Sequence, residues 1–166
     1  MESLAVAFAN TLGKYVAKEV VVFIISMIPI LELRGGLIVA SLLQVPITTA
    51  IPFCIIGNII PIPFILLFIR QVFKWLKKVK FFRGIIEKLE NRAMGKSDSI
   101  KKYEFWGLVL FVGIPLPGTG AWTGSLIAAL LEIDFKKAVL AELLGIAIAT
   151  IIMSIFSYGL LGALLG

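Results

Sequence analysis

Two hydrophobic stretches, residues 20–44 and 105–131, are each about long enough to cross a bilayer, and each is interrupted near its middle by residues that lipid does not tolerate. The first carries Pro29, Glu32, Arg34, Gly35 and Gly36; the second carries Pro115, Pro117, Gly118, Gly120 and Gly124. Each is followed by an unbroken apolar stretch, residues 45–69 and 138–165. A backbone broken at membrane depth exposes amides and carbonyls that only protein or water can satisfy, so it must be buried or line a cavity. Matched broken segments in corresponding positions of two halves point to a transporter-type site near mid-bilayer.

Composition agrees with a bilayer as the solvent. Of 166 residues, 60% are hydrophobic and only 16% charged, more apolar than a soluble domain of this size can hide. The expectation is one integral membrane domain over residues 1–166, in a prokaryotic plasma membrane. The chain has one cysteine, Cys54, and no histidine. Disulfide frameworks, histidine-based metal sites and Ser–His or Cys–His catalysis are therefore not expected. We read the chain as neither an enzyme nor a holder of cofactor or metal.

The net charge of +6 is concentrated in residues 70–104, which hold 11 of the 16 Lys and Arg residues. Such a cluster beside spans marks a cytoplasmic linker and gives no reason to expect nucleic acid. Val72, Leu76, Val79, Phe82, Ile86 and Leu89 recur there at helical spacing, predicting an amphipathic helix over 73–92 at the inner headgroups, with membrane lipids as partners. Residues 1–19, with Ala5, Phe8, Leu12, Tyr15 and Val16 on one face, read as a second interfacial helix. Pro52, Pro61 and Pro63 predict a kinked or partly unwound helix over 45–69.

Two topologies fit these lengths. Either each broken segment crosses the membrane, or each is a re-entrant hairpin that enters and leaves on one face. The second alternative makes the halves inverted copies and lets two opposed tips satisfy each other's backbone and charges. It is the one we favour. The expected fold is an all-α integral membrane protein of two inverted repeats. In each, a re-entrant helical hairpin (20–44, 105–131) is followed by a transmembrane helix (45–69, 138–165), and an amphipathic linker helix joins the repeats.

Ionisable residues at membrane depth are functional candidates by default. Arg34 offers a planar fork suited to phosphate or carboxylate, and Glu32 can carry a proton. Being two apart they do not share a helix face, so an irregular tip over Leu31 to Gly36 is expected to aim both into one cavity. The alternative is a pair that only pins two hairpins together. In the second tip, Pro115, Pro117, Gly118, Thr119, Gly120, Trp122 and Thr123 carry no charge. The tip's backbone amides and the Thr119 and Thr123 hydroxyls can donate to an anion at a half-helix N-terminus, and Trp122 can wall a pocket or stack on a cation. The alternative is a tight turn that permits close helix approach. Asn58 and Glu142 are secondary candidates; Glu142 is expected to reach the interface or to pair with Lys136.

At these tips the chain resembles the family of small multidrug export proteins. Leu31-Glu32-Leu33-Arg34-Gly35-Gly36 looks like its first signature, and the run from Ile114 to Gly124 like its second. Ile38 stands where the family often has proline. The layout is similar to the DedA/VTT group, and that resemblance implies opposed re-entrant hairpins, proton-dependent transport of polyprenyl-phosphate carriers, or lipid scrambling. That group usually has an arginine near its second tip; none stands between residues 105 and 131 here. The expected function is a small, proton-coupled exporter of an amphipathic or anionic substrate, acting as a homodimer. The alternatives are a flippase or scramblase for phosphate-headgroup lipids, or an assembly factor that transports nothing.

Overall fold

The computed structural model describes residues 17–160, and within them the chain is helical with no strand. Eight α-helices follow in order: α1 (Lys18–Met27), α2 (Glu32–Leu42), α3 (Ile47–Ile59), α4 (Pro61–Leu76), α5 (Lys80–Met94), α6 (Asp98–Gly113), α7 (Ala121–Leu130) and α8 (Phe135–Ser154). A π-helical turn, Ile155–Leu160, continues α8. The interfacial helix expected at 1–19 lies outside the described residues except at its end, where Lys18 and Glu19 begin α1.

Both hydrophobic stretches break for the same steric reason. A residue before proline is driven out of the helical region, and α1 and α6 each end at such a residue: Ile28 before Pro29 (ψ 130°) and Ile114 before Pro115 (ψ 120°). The helices that follow, α2 and α7, also end alike. Gln44 (φ 55°) and Glu132 (φ 58°) adopt the left-handed conformation. Behind them the amides of Val45 and Ile133 donate to the carbonyls of Ala40 and Ala128. This is the Schellman arrangement, which satisfies orphan carbonyls at a helix end.

The same packing occurs in each half. α1, α2 and α3 pack mutually, as do α6, α7 and α8, and α2 and α7 each also pack against the long apolar helix of the other half. Closest approach is set by glycine. A Cβ at Gly57 would meet the Phe23 carbonyl at 2.6 Å, and one at Gly145 would meet Val109 O at 2.9 Å. Gly36 and Gly124 similarly admit Cys54 and Val112.

The proline-rich stretch does not unwind. Ile60 keeps helical angles, and Pro61 and Pro63 occupy the first turn of α4, where a missing N–H costs little. α3 and α4 therefore run as a helix of 30 residues, Ile47–Leu76, and with Phe135–Gly159 it is one of two among the described residues long and apolar enough to cross a membrane. The linker differs from expectation as well. Its first residues belong to α4, the chain turns at 77–79, and only then does α5 begin. α5 exposes Phe81, Phe82, Ile85 and Leu89 as an amphipathic surface helix would, yet its far end is built into the protein, with Ala93, Ser97 and Ile100 buried.

Candidate functional site

The two broken stretches meet, and each caps the other's helix ends. Glu32, 4% exposed, opens α2. Its Oε2 accepts from the amide of Ala121 and its Oε1 from the amide of Trp122, both at 3.0 Å. These are orphan donors at the positive end of α7, where a carboxylate is stabilised by both the charge-assisted bonds and the helix dipole. Gly120 (φ 129°) makes the approach possible, because a Cβ there would overlap the Glu32 carboxylate. Glu32 itself has φ 51°, a conformation costing roughly 1–2 kcal/mol in an L-residue, which the two bonds offset.

Arg34 does the complementary job at the negative end of α6. Its Nη1 donates to Leu116 O at 2.9 Å, and its Nη2 reaches Val112 O, Ile114 O and Thr119 Oγ1 at 3.1–3.3 Å. Thr119 in turn donates to the Ile114 and Leu116 carbonyls. Trp122 holds the place in the second half that Arg34 holds in the first, the second residue after the break-side Glu32 or Gly120. Its indole N–H donates to Met27 O, at the C-terminus of α1, at 3.1 Å. Arg34 and Trp122 thus cap reciprocally, each sealing the opposite stretch with a side-chain N–H.

Beside this junction lies a cavity of about 960 Å³. Of the residues singled out from sequence, Glu32, Arg34, Gly35, Pro115, Pro117, Gly118, Thr119, Trp122 and Thr123 all line it. The irregular tip expected over residues 31–36 is narrower than foreseen. Only residues 28–31 are non-helical, and Gly35 and Gly36 are buried within α2, serving helix packing. Glu32 and Arg34 reach one cavity nonetheless, because Glu32 stands at the first residue of the helix. The amides of the second tip do bind an anion, and it is the chain's own Glu32.

Asn58 and Glu142 are not among the lining residues. Asn58 is buried in α3 with its Oδ1 unpartnered among the described residues. Glu142 neither reaches the interface nor pairs with Lys136. It is fully buried on α8 and accepts from Ser125 Oγ of α7 at 2.8–2.9 Å, joining the two helices. Two cavity residues, Arg92 and Lys96, were missed because the linker read as a surface helix. The signal was present: Ala93, Ser97 and Ile100 interrupt the charged pattern at helical spacing.

No group of His, Cys, Asp or Glu residues fit to hold a metal occurs among the described residues. No curated protein and no solved structure matches the chain. The family model described as "Putative small multi-drug export protein" matches residues 32–152, from Glu32 at the junction to the last turns of α8. The two long apolar helices suit a membrane protein of that kind. The chain belongs to the small multidrug export protein family.

Proposed function

We propose that the chain is a proton-coupled exporter whose working part is the junction of two opposed re-entrant hairpins, α1–α2 and α6–α7, arranged as inverted repeats. The observation that carries this reading is Glu32, buried on the N-terminal amides of α7 at the wall of a 960 Å³ cavity. A carboxylate so held is a switch in principle. Protonation removes the charge that the α7 dipole and the two amides favour, loosens one half from the other, and opens the cavity to the opposite side. The apolar walls together with Arg34 suit an amphipathic or anionic substrate. The reading includes a homodimer, because two spanning helices and two hairpins supply few walls, and a cytoplasmic linker in a prokaryotic plasma membrane.

A lipid flippase or scramblase is the second reading. It draws on Leu89, which is both exposed on the outer face of α5 and part of the cavity wall.

Transport in liposomes separates the two. Efflux of a fluorescent amphipathic anion, 1-anilinonaphthalene-8-sulfonate, is expected to follow an imposed proton gradient and to be lost in Glu32→Gln and Arg34→Gln. Equilibration of a fluorescent phospholipid without any gradient would favour scrambling. If both variants keep both activities, the junction is structural only. Paired reporter fusions in the linker and after Gly166 test the hairpins, which require those two points to lie on opposite sides of the membrane.

A further inference from the structure

Three cations line the cavity, and they differ in what they already hold. Arg34 has its Nη1 and Nη2 ends directed at three carbonyls and a hydroxyl, so the face of its fork is engaged and only its Nε–H and one Nη1–H are uncommitted. Lys96 donates to Gly118 O at 2.8 Å and more distantly to Pro117 O at 3.4 Å, which leaves part of its ammonium uncommitted. Arg92 makes no hydrogen bond or ion pair among the described residues, and it reaches the same cavity. Arg92 lies in the last turn of α5 and Lys96 follows four residues on, about one helical turn, a spacing that places both on one side of the chain.

This segment is not a loose tether. Ala93, Ser97 and Ile100 are buried around it, and the Ser97 hydroxyl donates to Met94 O at 2.6 Å. The second tip is shaped to receive it: Gly118 has φ 76°, and a Cβ there would overlap the Lys96 ammonium. The rest of the wall is largely apolar, with Ile69, Leu126 and Phe156 among its residues. Two under-used cations on a packed segment, in the wall of a largely apolar cavity, match one ligand chemistry: an anionic head on a hydrocarbon body.

We propose that Arg92 and Lys96, on the linker, are the headgroup-binding residues of the cavity, and that the cavity takes a single-chain amphipathic anion. The proposal rests on the exporter reading for its site but not for its coupling. The linker is then a wall of the binding site as well as a topology signal. Lys96 exchanges the Gly118 carbonyl for the ligand's oxygen, and Arg92 supplies the fork that Arg34 has directed elsewhere.

The test is equilibrium binding to the full chain in phosphatidylcholine nanodiscs, read by Trp122 fluorescence in a Trp75→Phe/Trp106→Phe background. The probes are dodecyl phosphate, inorganic phosphate and dodecyltrimethylammonium. Saturable binding of dodecyl phosphate is expected, weakened about tenfold for each of Arg92→Gln and Lys96→Gln. Arg92→Lys with Lys96→Arg should restore most of it, which a purely structural role for these side chains would not produce. Equal binding of dodecyltrimethylammonium, or of inorganic phosphate alone, would overturn the amphipathic-anion assignment. Undiminished dodecyl phosphate binding in the double Gln variant would overturn the role of the linker. If Arg34→Gln abolishes binding in that same case, the exporter reading stands while this proposal fails.

Discussion

Replacing Glu32 by Gln tests whether the two broken stretches are held together by charge. The side chain keeps its length but exchanges one acceptor oxygen for a donor NH2 group. Of the two amides it now serves at 3.0 Å, one keeps a neutral acceptor and the other faces a donor. An orphaned buried N–H costs about 1–3 kcal/mol, and the surviving bond loses about 1 kcal/mol of charge assistance. Loss of the favourable charge at the α7 N-terminus adds up to about 1 kcal/mol more. A total near 3 kcal/mol, at about 2–4 °C per kcal/mol for a chain of this size, lowers the unfolding midpoint by roughly 6–12 °C. Thermal unfolding of the full chain in a mild detergent, followed by tryptophan fluorescence, reads this directly. Glu87→Gln, on the exposed side of α5, is the control and should move the midpoint by no more than about 2 °C. Glu32→Asp, too short to reach both amides, should fall between. A Glu32→Gln midpoint within 2 °C of the parent would refute the charged clamp.

Three other substitutions probe the same architecture. Gly120→Ala places a Cβ on the Glu32 carboxylate at a φ that L-residues avoid, so it should destabilise at least as much as Glu32→Gln, and combining the two should cost much less than their sum in the same melt. Gly57→Ala and Gly145→Ala, at matched helix crossings, should each cost about 1–3 kcal/mol by overpacking; a loss at one site with none at the other, in the same unfolding assay, would count against equivalent packing of the two halves. Ser125→Ala removes the hydroxyl that Glu142 accepts from and should cost about 1–3 kcal/mol, whereas Glu142→Gln keeps an acceptor for that hydroxyl and should cost less; the reverse order would show that Glu142 has a partner other than Ser125.

Much of the architecture is determined locally and is therefore legible in the sequence. The breaks at Ile28-Pro29 and Ile114-Pro115 follow from the steric demands of proline on the preceding residue, whatever the rest of the chain does. The two long apolar helices follow from composition and length, and the charged, amphipathic character of α5 from its spacing. Glu32 and Arg34 stand out because ionisable groups at membrane depth are costly unless answered. Even so, local rules allowed an unwinding at Pro61 and Pro63 that does not occur, because their position in a first helical turn removes most of their cost, and they misjudged Gly35 and Gly36, which stay helical under tertiary packing.

What answers those charges was decided only by the tertiary structure. The bonds of Glu32 and Arg34 join residues 78–90 positions apart, and no local pattern encodes a contact at that distance. The equivalence of Trp122 with Arg34 is likewise invisible in residue type. An indole and a guanidinium share little except an N–H that can seal a helix C-terminus, and the match shows only once both are seen on opposite carbonyls. Glu142 found Ser125 and not Lys136, because α8 turns that face into the core. The linker's end entered the cavity for the same kind of reason: the composition of residues 70–104 gives its average preference for the membrane surface, while the burial of Ala93, Ser97 and Ile100 is set by which helices lie beneath them. Sequence determined where the chain breaks and which groups need partners; three-dimensional packing chose the partners.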